Sequence, residues 1–164
     1  MTTLELRHRL EQSKDFNDVF NLVKAAVENT IRLHRAGLTL VLSSLPNHIG
    51  AYHVMGSNLI VMNRNILAMV QATSSSKAEE NAFVFSILTH EYLHALGFAD
   101  EGTVRNMVKK ISIENFGEDH LVVQMSSGDF LKLYPQLRTL GPDKDSNGYE
   151  IIKDFDSSSM PYIG

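Results

Sequence analysis

The chain has 164 residues, of which 43% are hydrophobic and 21% are charged, a composition typical of one soluble globular domain. Its net charge of −4 excludes the basic footprint expected of a protein that binds DNA or RNA. The absence of cysteine excludes disulfides, thiolate zinc sites and cysteine nucleophiles.

The first strongly patterned segment is an amphipathic helix, predicted over residues 16–35 from apolar side chains at helical spacing. Asp15 can cap its N-terminus, and Gly37 suits its C-terminal stop. Residues 38–43 alternate in polarity and contain β-branched side chains, which predicts a strand.

A β-hairpin is predicted next, because segments 51–55 and 59–63 flank the turn residues Gly56, Ser57 and Asn58. A short helix is expected over residues 66–71.

Two further helices complete the predicted domain. Ser76 and Glu79 have the spacing of a capping box, which opens a helix that continues to Leu96 and ends at Gly97. The second helix covers residues 101–113. Together these elements predict an α+β fold, with a small mixed sheet packed on long helices.

The pattern that carries chemistry lies in the helix that begins after Ser76. His90 and His94 are four residues apart, so both imidazoles project from one helical face and can bind one zinc ion. Glu91 follows the first of these ligands, in the place of the general base of a metallopeptidase. The apolar residues around the motif indicate a buried helix, in which unpartnered histidines would be costly.

A catalytic zinc site needs a third protein ligand, and two acids follow the turn at Gly97. Both Asp100 and Glu101 are candidates. Glu101 is favoured because Asp100 has a competing role as the N-cap of the following helix.

The motif His90-Glu91-x-x-His94, with a hairpin upstream of its helix, resembles the zincin metallopeptidases, and most of all the minigluzincins, which are very short single-domain zincins. The resemblance covers residues 15–113 loosely. It implies a zincin fold, Glu101 as the third ligand, and a substrate held along an edge strand above the zinc. It also implies that a C-terminal segment can occupy the cleft and keep the enzyme latent.

A rival resemblance is to snapalysin-type metzincins, since Gly97 and Asp100 continue the motif at their spacing. It implies Asp100 as the ligand, and Met160, in Ser158-Ser159-Met160-Pro161-Tyr162, as the methionine turn. The helical pattern that begins at once after Asp100 favours the first resemblance.

We therefore predict a zinc metalloendopeptidase that acts on peptide or protein substrates, with Glu91 as general base and His90, His94 and Glu101 as ligands. A zinc-binding interaction module without catalysis is the alternative. The N-terminus has no apolar run, and no stretch of about 18 apolar residues exists. These features predict a cytoplasmic protein with no membrane partner.

The C-terminal part of the chain is predicted as a tail, residues 135–164, appended to a catalytic domain of residues 1–134. It shows little periodicity but carries apolar anchors, so it is expected to pack on the domain, to lie across the cleft and to suppress activity. Asp143 to Asp154 has the start of a calcium loop but lacks the closing glutamate, which favours a polar turn. His120 is a candidate transition-state stabiliser or a surface histidine.

Overall fold

The structure, a computed structural model, describes residues 1–139 and 148–156. These residues form grouped helices and strands, as the sequence predicts for an α+β protein. In chain order they are α1 (Thr3–Gln12), α2 (Phe16–Ile31), β1 (Thr39–Ser43), β2 (Ala51–His53), β3 (Leu59–Asn63), α3 (Arg64–Thr73), α4 (Lys77–Ala95), α5 (Glu101–Phe116), α6 (Leu121–Met125), α7 (Phe130–Leu133), a 3-10 helix (Pro135–Thr139) and β4 (Tyr149–Ile151).

The four strands form one mixed sheet in the order β2-β3-β1-β4. The predicted hairpin is confirmed, since β2 and β3 pair antiparallel with Ala51 opposite Met62. The central strands β1 and β3 run parallel, and β4 adds to β1 in the antiparallel sense. Among the described residues, β2 and β4 are therefore the two edges of the sheet.

Helix α4 runs through the middle of the molecule and packs against α1, α2, α3, α5, α6 and β2. Its largest side chains, among them Phe83, Phe85 and Tyr92, are fully buried. Asn81 is buried too, and its amide donates to the carbonyls of Leu10 and Ser13, which ties α1 to α4. A helix surrounded in this way is held rigidly, which suits a helix that carries a functional site.

The prediction that the first long helix reaches Arg35 and stops at Gly37 is wrong. Helix α2 ends at Ile31, because Arg32 adopts a left-handed conformation (φ 60°) and donates its N–H to Glu28 O. The following segment leaves the helix to reach α4, where the Arg35 N–H donates to the Tyr92 hydroxyl (2.8 Å). The predicted cap at Asp15 is confirmed, since its side chain accepts from Asp18 N.

The described part of the C-terminal segment has regular structure, contrary to the prediction of an irregular tail. Beyond the 3-10 helix and β4, Phe155 stacks on Phe20 with ring centroids 4.3 Å apart. The Asp156 carboxylate forms a buried ion pair with Lys24. Residues 148–156 therefore pack on α2 and on the edge of the sheet opposite to β2. Within the described residues, no helix is long and apolar enough to span a membrane.

Candidate metal centre

The two histidines stand in the last two turns of α4, whose start is fixed by a cap. The Ser76 hydroxyl accepts from Glu79 N (3.1 Å), as the capping-box spacing predicts. The reciprocal bond of a full capping box is absent, because the Glu79 carboxylate instead accepts from the Ser75 and Tyr134 hydroxyls. From this start, the helical period brings His90 and His94 to one face, with ring centroids 5.0 Å apart.

The turn after α4 orients the second histidine. Gly97 has φ 112°, a conformation that glycine adopts without strain and other residues do not. The turn returns the Phe98 carbonyl to His94, whose Nδ1 donates to it over 2.7 Å. Because Nδ1 is engaged by a carbonyl, Nε2 is the nitrogen of His94 that can ligate a metal.

Glu101 meets both imidazoles from the first turn of α5. Its Oε1 lies 2.7 Å from His94 Nε2, and its Oε2 lies 3.0 Å from His90 Nε2. One carboxylate therefore faces a ring nitrogen of each histidine, so three ligating groups converge on one point. Binding of a cation there requires both of these nitrogens to be free of a proton.

Asp100 has the capping role that the sequence suggested. Its Oδ2 accepts from both the backbone N–H and the hydroxyl of Thr103, each over 2.8 Å. These hydrogen bonds lower the pKa of Asp100. Of the two candidate third ligands, the structure thus brings Glu101 to the histidines and engages Asp100 elsewhere.

Glu91 lies beneath this cluster and is buried, with 4% of its surface exposed. Burial raises the pKa of Glu91 to about 7. Its Oε2 is buried and forms no hydrogen bond within the described residues. A buried, unpartnered carboxylate oxygen is rare in folded proteins and indicates a group that meets a ligand or a water in the working protein.

The donor set fits a metal ion. One ligand atom each of His90, Glu91 and His94 lies within 4.8 Å of the others, and Glu101 contacts both histidines. Burial lowers the pKa of His90, which favours the neutral, ligating form. Imidazole nitrogens with a carboxylate are ligands that zinc accepts in proteins.

Two cavities flank the cluster and share Ala51, Glu91 and Glu101 in their walls. The first, of about 150 Å³, is lined by α4, α5 and the segment around Phe130, and we call it the Phe130 cavity. The second, of about 270 Å³, lies between β2 and the Gly97 turn. An extended peptide paired with β2 would therefore pass the cluster with one cavity on each side of it.

The loop between β1 and β2 forms the roof of the Phe130 cavity and is fixed from below by Asn63. This side chain is fully buried, and its amide donates to the carbonyls of Leu45, Pro46 and Ile49. The loop tip carries an exposed histidine, His48, which lines the cavity.

Not every residue considered from the sequence lies at this site. His120 caps α6, where its Nδ1 accepts from Val122 N, and it lines neither cavity. Asp143, Asp145 and Met160 lie outside the described residues, so the calcium loop and the methionine turn stay untested. Asp154 is described and exposed.

Sequence reasoning missed Arg105 and Phe130, which line the first cavity. Arg105 could have been found, because it follows Glu101 by four residues on a predicted helix and so shares its face. Phe130 is brought to the site by tertiary packing. Comparison of the chain with protein-family models, with curated proteins and with solved structures finds no match.

Proposed function

We propose that the chain is a zinc-dependent metallopeptidase of the zincin type, with a ligand arrangement like that of the minigluzincins. The observation that carries the proposal is the Glu101 carboxylate, which contacts Nε2 of both histidines of a His-Glu-x-x-His motif. His90, His94 and Glu101 are the proposed ligands. Asp100, the ligand of the metzincin-like alternative, is already engaged by Thr103.

When bound, zinc supplies a Lewis acid that polarises a carbonyl and makes water a stronger nucleophile near neutral pH. Glu91 supplies the proton transfer. Its carboxylate takes a proton from the attacking water and delivers it to the leaving amine of the peptide. A pKa of about 7 suits both halves of that transfer, and a bound cation would lower the pKa again.

The proposed substrate is a peptide or an unfolded protein segment. The outer edge of β2 borders the site, and a peptide could pair with it as an added strand. Ala51, in β2, lines both cavities, so neighbouring side chains of such a peptide would enter them from opposite sides of the cluster.

The test combines metal content with hydrolysis. The full chain, loaded with zinc and freed of excess metal, should hold about one zinc and cleave members of a mixed peptide library, read by mass spectrometry. Glu91→Gln should keep the zinc and lose about 100-fold or more of the activity, because only the base is removed. Glu114→Gln, the same change at an exposed position of α5, is the matched control.

Three outcomes separate the alternatives. A wild-type chain that stays free of metal would refute the site itself. Zinc binding without hydrolysis of any library member would favour the zinc-binding interaction module. Loss of zinc in Glu91→Gln would show that Glu91 is a ligand and that its assignment as base is wrong.

A further inference from the structure

The Phe130 cavity contains a cation that the proposed chemistry does not use. Arg105 lines it together with His90, Glu91 and Glu101. Arg105 is four residues beyond Glu101 in α5, so both side chains leave the helix on the same face. Within the described part of the chain, no hydrogen bond or ion pair engages the Arg105 guanidinium.

The rest of the cavity wall is mixed, with Ile87, Val108 and Phe130 as its larger apolar side chains and Ser86 and Ser126 as hydroxyl groups. Gly50 also lines the cavity. A Cβ added at Gly50 would lie 3.2 Å from a Phe130 ring carbon and 3.5 Å from Ile87 Cδ1. At about 150 Å³ the cavity has room for a single side chain of moderate size. The apolar part of this wall therefore suits one apolar side chain, and the Arg105 guanidinium suits a negatively charged group on the same residue of the ligand.

The charges around the cavity make this combination selective. The acidic groups at the site, Glu91 and Glu101, both have roles in the proposed chemistry. Apart from the proposed ligand His90, the basic side chains lining the cavity are His48 and Arg105, and only Arg105 is charged at every working pH. The planar guanidinium of an arginine binds carboxylates through two parallel hydrogen bonds, which gives geometric specificity.

We propose that Arg105 binds a carboxylate of the substrate residue that occupies the Phe130 cavity, an inference that rests on the proposed peptidase function. A carboxylate reaches this position from two sources: the free C-terminus of a peptide, or an Asp or Glu side chain. The apolar walls favour the first, with an apolar side chain in the cavity and its α-carboxylate on Arg105. The chain would then remove single apolar residues from C-terminal ends.

The test measures equilibrium binding, so that it does not depend on turnover. Zinc-loaded Glu91→Gln protein is titrated with a short N-acetylated peptide that ends in leucine, as the free acid and as the amide. We expect the acid to bind about tenfold more tightly, equivalent to about 1.4 kcal/mol. The preference should shrink at high ionic strength, because the pair is partly exposed.

Variants assign the preference to one residue. Arg105→Gln should bind acid and amide equally, and Arg105→Lys should keep part of the preference because the charge remains but the planar fork is lost. Lys110→Gln, which removes the same charge from an exposed position of α5 outside both cavities, should leave the preference intact. An acid preference that survives in Arg105→Gln would place the carboxylate on the metal and overturn the proposal.

A second pair of ligands identifies the source of the carboxylate. Amidated peptides ending in Glu or Gln differ only in the side-chain charge. Preference for the Glu peptide that is lost in Arg105→Gln would support carboxylate binding through a side chain. If the acid binds like the amide and the Glu peptide binds like the Gln peptide, the carboxylate proposal is overturned, even where the wild-type chain hydrolyses peptides. If the preference depends on Arg105 but no peptide is hydrolysed, carboxylate binding by Arg105 stands and the peptidase function is refuted.

Discussion

The buried ion pair between Lys24 and Asp156 allows a quantitative test of whether the C-terminal segment belongs to the fold. The exposed fractions of the two side chains are 6% and 2%, and Asp156 Oδ2 also accepts from the backbone N–H groups of Gly37 and Leu38, over 3.0 and 3.1 Å. Asp156→Asn removes the charge while keeping an oxygen that can accept from the backbone. The Lys24 ammonium then stays buried without this carboxylate.

Breaking a buried pair from one side costs about 3–5 kcal/mol. The unfolding entropy, about 2.1 cal/mol/K per residue, amounts to about 0.34 kcal/mol/K for the 164-residue chain. We therefore expect the midpoint of thermal unfolding of Asp156→Asn to fall by about 9–15 °C, measured by circular dichroism. Asp154→Asn makes the same change at an exposed neighbour with φ 57°, which asparagine tolerates, and should cost less than about 0.5 kcal/mol.

A double variant, Lys24→Met with Asp156→Asn, should recover part of the loss, because neither charge is then buried alone. If Asp156→Asn melts like Asp154→Asn, the reasoning is refuted and residues 148–156 are not integral to the fold. If the midpoint of Asp156→Asn falls as expected, truncation after Gln136, which removes residues 148–156, would unfold the protein rather than release a latent activity. Latency then has to be tested by truncation after Asp156, since residues 157–164 lie outside the described chain.

Three further predictions concern the candidate metal centre. Gly97→Ala should lower the free energy of unfolding by about 1–3 kcal/mol, because φ at this position is 112°. By displacing the Phe98 carbonyl from His94, it should also weaken zinc affinity about tenfold or more, measured by competition with a chelator. Unchanged values would show that the turn does not orient the imidazole. Glu101→Ala should weaken zinc binding more than Asp100→Ala, and the reverse order in the same assay would favour the metzincin-like ligand set. Zinc binding should release protons and weaken as the pH falls from about 8 to about 5, because both imidazoles must be neutral to ligate. Burial lowers the pKa of His90, so protonation of this imidazole competes with zinc only at the acid end of that range. Calorimetry in buffers of different ionisation enthalpy measures the protons released, and zinc binding without proton release would contradict the reasoning.

The candidate metal centre was predictable because its positions follow from local rules. The spacing of His90 and His94 fixes their common face, and the caps at Ser76 and Asp100 fix where the two helices begin. Glycine at position 97 then forces the turn that separates them. Each of these signals lies within a few residues of the structure it specifies, so one sequence is sufficient to read it.

The errors came from structure that depends on distant parts of the chain. Strand β4 has three exposed residues, too few for its apolar-polar-apolar order to identify a strand, and it is formed by pairing with the distant strand β1. Helix α2 ends earlier than predicted because Arg32, in a left-handed conformation, turns the chain towards α4, where the Tyr92 hydroxyl accepts from the Arg35 N–H. The Phe130 cavity likewise joins segments that are far apart in sequence.

The anchoring of the β1–β2 loop has a consequence for how the protein tolerates change. Asn63 fixes the backbone of this loop at three carbonyls, so the loop keeps its path without help from the side chain at its tip. Position 48 is therefore open to mutation at little structural cost, while it still faces the cavity. Variation there alters what the cavity accepts without disturbing helix α4, which carries both histidines. Libraries that randomise residue 48 and keep Asn63 are the natural starting point for redirecting the selectivity of this scaffold.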